Sequence, residues 1–226
     1  MSPIVAGEQA LPRELGSYLV KVLRLRAGDS FVVFDPESGT EADAELLRDV
    51  PALARVGQAR AVASALSRKV TLVQGLAKGD KPEQVARAAV ALGASSVLFV
   101  KTERSIAGAE LRTERLRGVM IDAARQCGRG DLPRVSGPFE LGAAQVSASL
   151  RYVLDPRAEL SLVEALGAVP GDQELALAVG PEGGFSASEH EQLLAAGYQP
   201  VRLAPFVLRT ELAAVAALAV VAAHGA

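Results

Sequence analysis

The sequence predicts an α/β protein in which a mainly parallel sheet, covered by helices, follows a small β-rich domain. Short apolar runs alternate with helical patterns from Val70 to Ala223, the order that builds a parallel sheet buried on both faces. Before Ser67, several short strand-like segments crowd together without long helices between them, as in a compact barrel. The chain has 226 residues, half of them hydrophobic, which suits one large domain or a small and a medium one at about 100–200 residues each.

The elements follow in order. Leu15, Leu19, Val22 and Leu23 fall at helical spacing within Glu14–Leu25, and Ala27-Gly28-Asp29 then marks a turn. Ser30–Phe34, the turn Asp35–Gly39 and the alternating Ala42, Ala44 and Leu46 read as a hairpin. A further partly alternating run covers Ala54–Ala65, and the rhythm changes near Ser67-Arg68. We therefore divide the chain into a domain over 1–68 and a second over 69–226. In the second, Val70–Val73 reads as a strand and Pro82 suits a helix start. Val85, Ala88, Ala89 and Leu92 carry that helix, and Gly93 closes it. Ser96–Val100, Tyr152–Leu154, Leu175–Val179 and Val201–Leu203 are further strands. Helices are predicted over Arg112–Gln126, Ser186–Ala196 and Thr210–Ala223.

Composition excludes several classes. The apolar run Leu212–Ala223 is shorter than the roughly 20 residues that span a bilayer. No secretory leader is read at the start, and a single cysteine, Cys127, fits a reducing compartment. With only His190 and His224 beside it, a Cys/His zinc site cannot be assembled. The expectation is a soluble cytoplasmic protein with no membrane segment and no metal. The 24 basic and 26 acidic residues nearly cancel. Lys101–Arg134, however, holds eight basic against five acidic residues, so a nucleic-acid ligand would need a local basic face.

The most informative stretch is Ala178–Glu189, AVGPEGGFSASE. A buried strand enters a bend with adjacent glycines, Gly183 and Gly184, which permit close approach of a ligand to the backbone. Ser186 followed by Glu189 forms a capping box. A bend at the carboxyl end of a strand is where open α/β sheets bind ligands, although a plain strand–turn–helix junction would read the same way. Leu203–Ala214 also ends a strand: Pro205 turns the chain, Thr210 is suited to cap the last helix, and Arg209 and Glu211 stand at its start. That helix is apolar nearly all round, which implies burial on every side or a subunit contact. Dinucleotide and P-loop glycine fingerprints and a Gly-x-Ser-x-Gly elbow are all missing.

Gly180-Pro-Glu-Gly-Gly-Phe-Ser186 with Glu189, followed by Val207-Leu-Arg-Thr-Glu211, resembles the RsmE family. These are ribosomal RNA small-subunit methyltransferases specific for uridine N3, within the knotted SPOUT superfamily. Lys78-Gly-Asp-Lys81, Glu103-Arg-Ser105, Gln126-Cys-Gly-Arg129 with Pro133, and Tyr18–Phe34 are similar to further family segments, so the resemblance covers nearly the whole chain. It departs at the opening, where Met1–Glu8 lacks the usual aromatic and basic residues, in the long central helix around Arg115–Gly118, which lacks the family's tryptophan, and at Leu212, where Thr is common.

The resemblance implies a SPOUT-type sheet with a C-terminal trefoil knot and a PUA-like RNA-binding barrel before it. It also implies S-adenosylmethionine as cofactor, held by Leu154, Pro156, Gly180, Pro181, Glu182, Gly183, Gly184, Leu203, Leu208 and Thr210. Arg209 is expected to stabilise charge on the uracil, or to clamp a phosphate or the cofactor carboxylate. Glu211 or Glu182 is expected to orient it or accept the proton. Small-subunit ribosomal RNA, free or assembled, would meet Lys21, Arg24, Arg26, Arg104, Arg125 and Arg129, and the knotted domain would form a homodimer. Action on another rRNA or tRNA position, or a non-catalytic role in RNA binding or ribosome assembly, stays open.

Overall fold

The computed structural model describes residues 3–62, 68–105 and 110–225. Part of the run expected over Ala54–Ala65, and Ser67 at the expected domain boundary, lie outside them. Contacts divide the described residues into two compact units. One contains residues 3–62 with 128–132; the other contains 68–105, 110–127 and 133–225.

The first unit is an antiparallel sheet of β1 (Gly7–Ala10), β2 (Ser30–Asp35), β3 (Thr40–Arg48), β4 (Leu53–Val56) and β5 (Arg60–Ala61). The strands run in the order β1-β4-β3-β2, with β5 on β3. The predicted hairpin is β2–β3. Asp35 closes its turn, because its carboxylate accepts from the Glu37 N–H at 3.0 Å and the Ser38 hydroxyl at 2.8 Å. Ala42, Ala44 and Leu46 point inward as their period of two requires. The helix expected over Glu14–Leu25 is instead a short α1 (Arg13–Ser17) followed by a π-helical turn, Tyr18–Val22. Leu15 and Leu19 pack with Leu11, Leu46 and Ala54. The wider turn releases Val22 and Leu23 to the surface, 63% and 48% exposed, and leaves Arg24 with a positive φ of 59°.

The second unit is built on β6 (Val70–Gly75), β7 (Ser96–Lys101), β8 (Arg134–Glu140), β9 (Leu150–Leu154), β10 (Leu175–Val179) and β11 (Gln199–Val201). All pairings are parallel, in the order β11-β9-β10-β6-β7-β8. Helices α2 (Lys81–Ala91), α3 (Thr113–Cys127), α4 (Leu162–Gly167) and α5 (Ala187–Ala195) lie between successive strands, and α6 (Thr210–Gly225) follows β11. β10 is buried along its whole length, as a central parallel strand must be. Val73, Val153, Ala176, Ala178 and Leu193 share one core face; Leu72, Leu175 and Leu177, fully buried, point to the other. β8 escaped the sequence reading because Gly137-Pro138 looks like a turn. Proline is tolerated there because β8 pairs on one side only, at the sheet edge.

From β6 the chain steps outward through β7 to β8, then returns to build β9, β10 and β11 on the other side. Strand order therefore reverses between β6 and β10, and in such sheets the carboxyl ends at the reversal open a crevice. α6 buries Ala214, Ala217, Leu218 and Val221, a stripe at i, i+3, i+4 and i+7 that faces α2, α4 and β10. The burial on every side that its composition allowed is not met within one chain, since Leu212 remains 50% exposed.

Candidate functional site

A cavity of about 420 Å³ lies at the carboxyl ends of β9 and β10. Three bends form its walls: one after Leu154, one from Gly180 to Gly184, and one from Leu203 to Arg209. Leu154, Pro156, Gly180, Pro181, Glu182, Gly184, Leu203, Leu208 and Thr210 all line it, as do Arg209 and Glu211. Asp155, inside the bend Leu154–Pro156 expected at the cofactor, lines it too, as does Lys81, to which the sequence assigns no role.

Gly183 does not line the cavity. Its Cα faces Arg104, and a Cβ added there would lie 3.0 Å from the Arg104 Cβ. Arg104 in turn donates from Nη1 to the Gly183 carbonyl at 2.8 Å and to that of Phe185 at 3.3 Å. The Arg104 guanidinium thus braces the outside of the glycine bend. The neighbouring residues fix the same junction: the Glu189 carboxylate accepts from the N–H of Ser186 at 2.8 Å and that of Glu103 at 2.7 Å. Ser186 Oγ accepts from the Glu189 N–H at 3.2 Å, which completes the predicted capping box. The hydroxyl of Ser188 donates to Glu103 at 2.7 Å, and the serine hydroxyls hold the Glu103 carboxyl below its ordinary pKa.

Thr210 differs from its expected capping role. Its hydroxyl donates to the Gly180 carbonyl at 2.5 Å and accepts from Gln74 Nε2 at 2.8 Å. Gln74, 1% exposed, also donates to the Gly75 carbonyl at 2.9 Å. The end of β6, the glycine bend and the start of α6 are joined through one hydroxyl. Gly75 is a further residue to which the sequence assigns no role: a Cβ there would come within 2.5 Å of the Pro181 nitrogen and 2.9 Å of the Gly180 carbonyl carbon. Only glycine lets the bend cross the end of β6 this closely.

Electrostatics separate the cavity's acids. Lys81 Nζ donates to Glu182 Oε1 at 2.5 Å, both side chains less than a third exposed. Burial pushes the Glu182 pKa up, but the hydrogen bond and charge of Lys81, with backbone N–H donors, outweigh it and hold the value below ordinary. Glu211 contrasts with it, because its Oε2 is buried without a hydrogen-bond partner among the described residues. Arg209 is exposed and, among the described residues, makes no side-chain hydrogen bond or ion pair.

The basic residues assigned to RNA fall into different settings. Lys21, Arg24 and Arg26 are exposed on the first unit. Arg125 pairs with Asp122 at 3.3 Å across one helical turn. Arg129 groups with the first unit and grips Asp131 with Nε at 2.7 Å and Nη2 at 2.9 Å. Among the described residues, no cluster of His, Cys, Asp and Glu could hold a metal ion, and no helix is long and apolar enough to cross a membrane.

Residues 64–222 match the RNA methyltransferase domain family, and residues 11–48 match the RNA methyltransferase PUA domain family. The chain is 32% identical to a ribosomal RNA small subunit methyltransferase E of Synechocystis, over 89% of this chain and 68% of that protein. It is 36% identical to the protein of that name in Mycobacterium bovis, over 67% of this chain and 62% of the relative. A ribosomal RNA small subunit methyltransferase E of Neisseria gonorrhoeae, solved with bound S-adenosylmethionine, superposes with a TM-score of 0.82 at 27% identity, covering 96% of this chain and 92% of that one.

Proposed function

Because this chain belongs to the ribosomal RNA small subunit methyltransferase E family, we propose that it methylates N3 of a uridine in small-subunit ribosomal RNA with S-adenosylmethionine as donor. The observation that carries the reading is the cavity at the sheet's reversal, which joins a backbone-lined bend to an unpaired arginine and a glutamate with an orphaned oxygen. At about 420 Å³ it falls in the usual range for small-molecule sites, about 300–1,000 Å³. Its lining fits the cofactor: the backbone of Gly180, Glu182 and Gly184 lets a heterocycle approach closely, and Leu154, Leu203 and Leu208 suit its apolar faces.

When bound, S-adenosylmethionine supplies an electrophilic methyl group on a sulfonium sulfur. The protein's task is on the nucleobase. Uracil N3 carries a proton, and its removal leaves negative charge shared with the two flanking carbonyl oxygens. Arg209 offers a planar cation with uncommitted donors to that charge. Glu211 has a carboxylate oxygen in want of a donor, which suits it to orient Arg209 or take the N3 proton. Glu182, held ionised by Lys81, is the poorer acceptor. Cofactor contacts are assigned to the lining residues named above, with Gly183 acting through the backbone of its bend.

The N-terminal domain, 1–68, is read as the RNA-binding barrel, with Lys21, Arg24 and Arg26 on phosphates. Arg104, Arg125 and Arg129 keep their proposed contacts, although each also holds a protein partner. A homodimer through the catalytic domain is supported by apolar surface around the cavity mouth, where Phe206 and Val207 are 81% and 79% exposed. A cytoplasmic enzyme follows from the substrate. The test is transfer of a tritiated methyl group to small subunits from a strain lacking the modification, followed by mapping of the modified base. Label at a uridine N3 supports the reading; no label, or label elsewhere, overturns it.

A further inference from the structure

β9 ends at Leu154, and the next side chain, Asp155, forms part of the cavity wall with only 13% of it exposed. Its Oδ1 is committed, accepting the Arg157 N–H at 2.9 Å and Arg157 Nε at 3.2 Å. Among the described residues its Oδ2 has only long neighbours, Arg157 Nη2 at 3.4 Å and His190 Nε2 at 3.8 Å. Arg157 is itself 87% exposed, so water competes for its donors. A carboxylate has about four lone-pair sites, and Oδ2 therefore keeps accepting capacity at a largely buried position. Burial pushes the Asp155 pKa up, but the hydrogen bonds and charge of Arg157, with a smaller effect from His190, hold it below its ordinary value. Asp155 is then purely an acceptor at neutral pH.

We propose that Asp155 Oδ2 accepts the ribose hydroxyls of the cofactor and makes the cavity selective for an intact ribose diol, an inference that rests on the proposed function. S-adenosylmethionine offers three kinds of donor: the adenine amine, the ribose hydroxyls and the α-ammonium. An adenine edge alternates donor with acceptor and needs both kinds of partner, which backbone groups supply and an ionised carboxylate does not. The α-ammonium is a full cation and calls for an anion whose charge is not already countered. Asp155 already has its charge balanced by Arg157 and calls for neutral donors.

The test is calorimetric titration of the full chain with S-adenosylhomocysteine and with its 2′-deoxy and 3′-deoxy analogues. In the native protein, loss of a hydroxyl should weaken binding roughly ten- to hundredfold, the scale of one hydrogen bond to a charged group. Asp155→Ala should bind S-adenosylhomocysteine more weakly by a similar factor and no longer distinguish it from the weaker deoxy analogue. Asp155→Asn, which preserves shape and one acceptor, serves should the alanine variant fail to fold, and should discriminate less than the native protein. Variants that discriminate as strongly as the native protein overturn the inference and leave the proposed function standing. A native protein that does not bind S-adenosylhomocysteine overturns both.

Discussion

Gln74 and Thr210 lie 136 residues apart in the chain, yet Gln74 Nε2 donates to Thr210 Oγ1 at 2.8 Å, and that same hydroxyl donates onward to the Gly180 carbonyl. Two of the three bends around the cavity are therefore held in register by a single side-chain hydroxyl anchored on a buried amide. Buried polar groups tied together in this way rigidify a site, and become costly when one partner is removed.

Thr210→Val should therefore destabilise the fold and weaken cofactor binding together. Leaving the Gln74 amide and the Gly180 carbonyl short of a partner costs about 1–3 kcal/mol, which for a chain of this size is about 2–4 °C of Tm per kcal/mol. Thr210→Ser keeps the hydroxyl and should restore most of both. Thermal unfolding and calorimetry check this; a stable valine variant with native cofactor affinity would remove Thr210 from the site.

Gly75→Ala tests the close crossing of β6 by the glycine bend. The added methyl meets Pro181 at 2.5 Å, and backbone on both sides leaves no easy retreat. Overpacking of this kind costs about 1–3 kcal/mol. Cofactor affinity should fall at least tenfold, while Gly79→Ala, where nothing lies within 4 Å but φ is +72°, should cost only local strain.

Arg209→Ala should collapse turnover while leaving cofactor affinity within a few-fold, because the proposed target of the guanidinium is charge that develops on the nucleobase. Removing such a stabilising donor costs about 10²–10³ in kcat. Equal loss of turnover and cofactor affinity would reassign Arg209 to the cofactor carboxylate.

The Lys81–Glu182 pair gives stability a pH dependence with a definite sign. The folded-state pKa of Glu182 is depressed, so its contribution is fully present above the ordinary carboxylate value and is lost as pH falls through the lower folded-state value. Lys81→Met should reduce stability at neutral pH by at most about 1 kcal/mol, given the pair's partial exposure. The gap between native and variant should close in acid. Urea unfolding of both proteins across the acid range measures it, and a gap that widens in acid would contradict the assignment.

If Lys21, Arg24 and Arg26 bind RNA phosphates, affinity should fall steeply with salt, and replacing each by Gln should shallow the slope by about 0.7–0.9. Filter binding over a salt series checks it; unchanged slopes would place the contacts elsewhere.

The legible parts of this protein are those where the signal is local. Alternation in Ala42, Ala44 and Leu46, helical spacing around Val85 and Ala89, and the Ser186–Glu189 capping box each relate residues a few positions apart. The glycine bend and the Val207–Glu211 stretch could be singled out for the same reason. Where several local solutions compete, the pattern misleads: a regular helix and a π-helical turn share the spacing around Leu19, and a proline-bearing edge strand looks like a loop at Pro138.

From its sequence alone, then, this chain determined its alternating α/β plan, its β-rich first domain and the three strand-end bends that carry the site, since these depend on period, capping and backbone freedom among near neighbours. Tertiary structure alone decided that Gly75 must lack a side chain, that the Thr210 hydroxyl ties a bend instead of capping a helix, and that Lys81 joins the cavity wall. Those roles depend on which strand ends lie side by side, and that follows from the reversal of strand order between β6 and β10, to which no short stretch of sequence is sensitive.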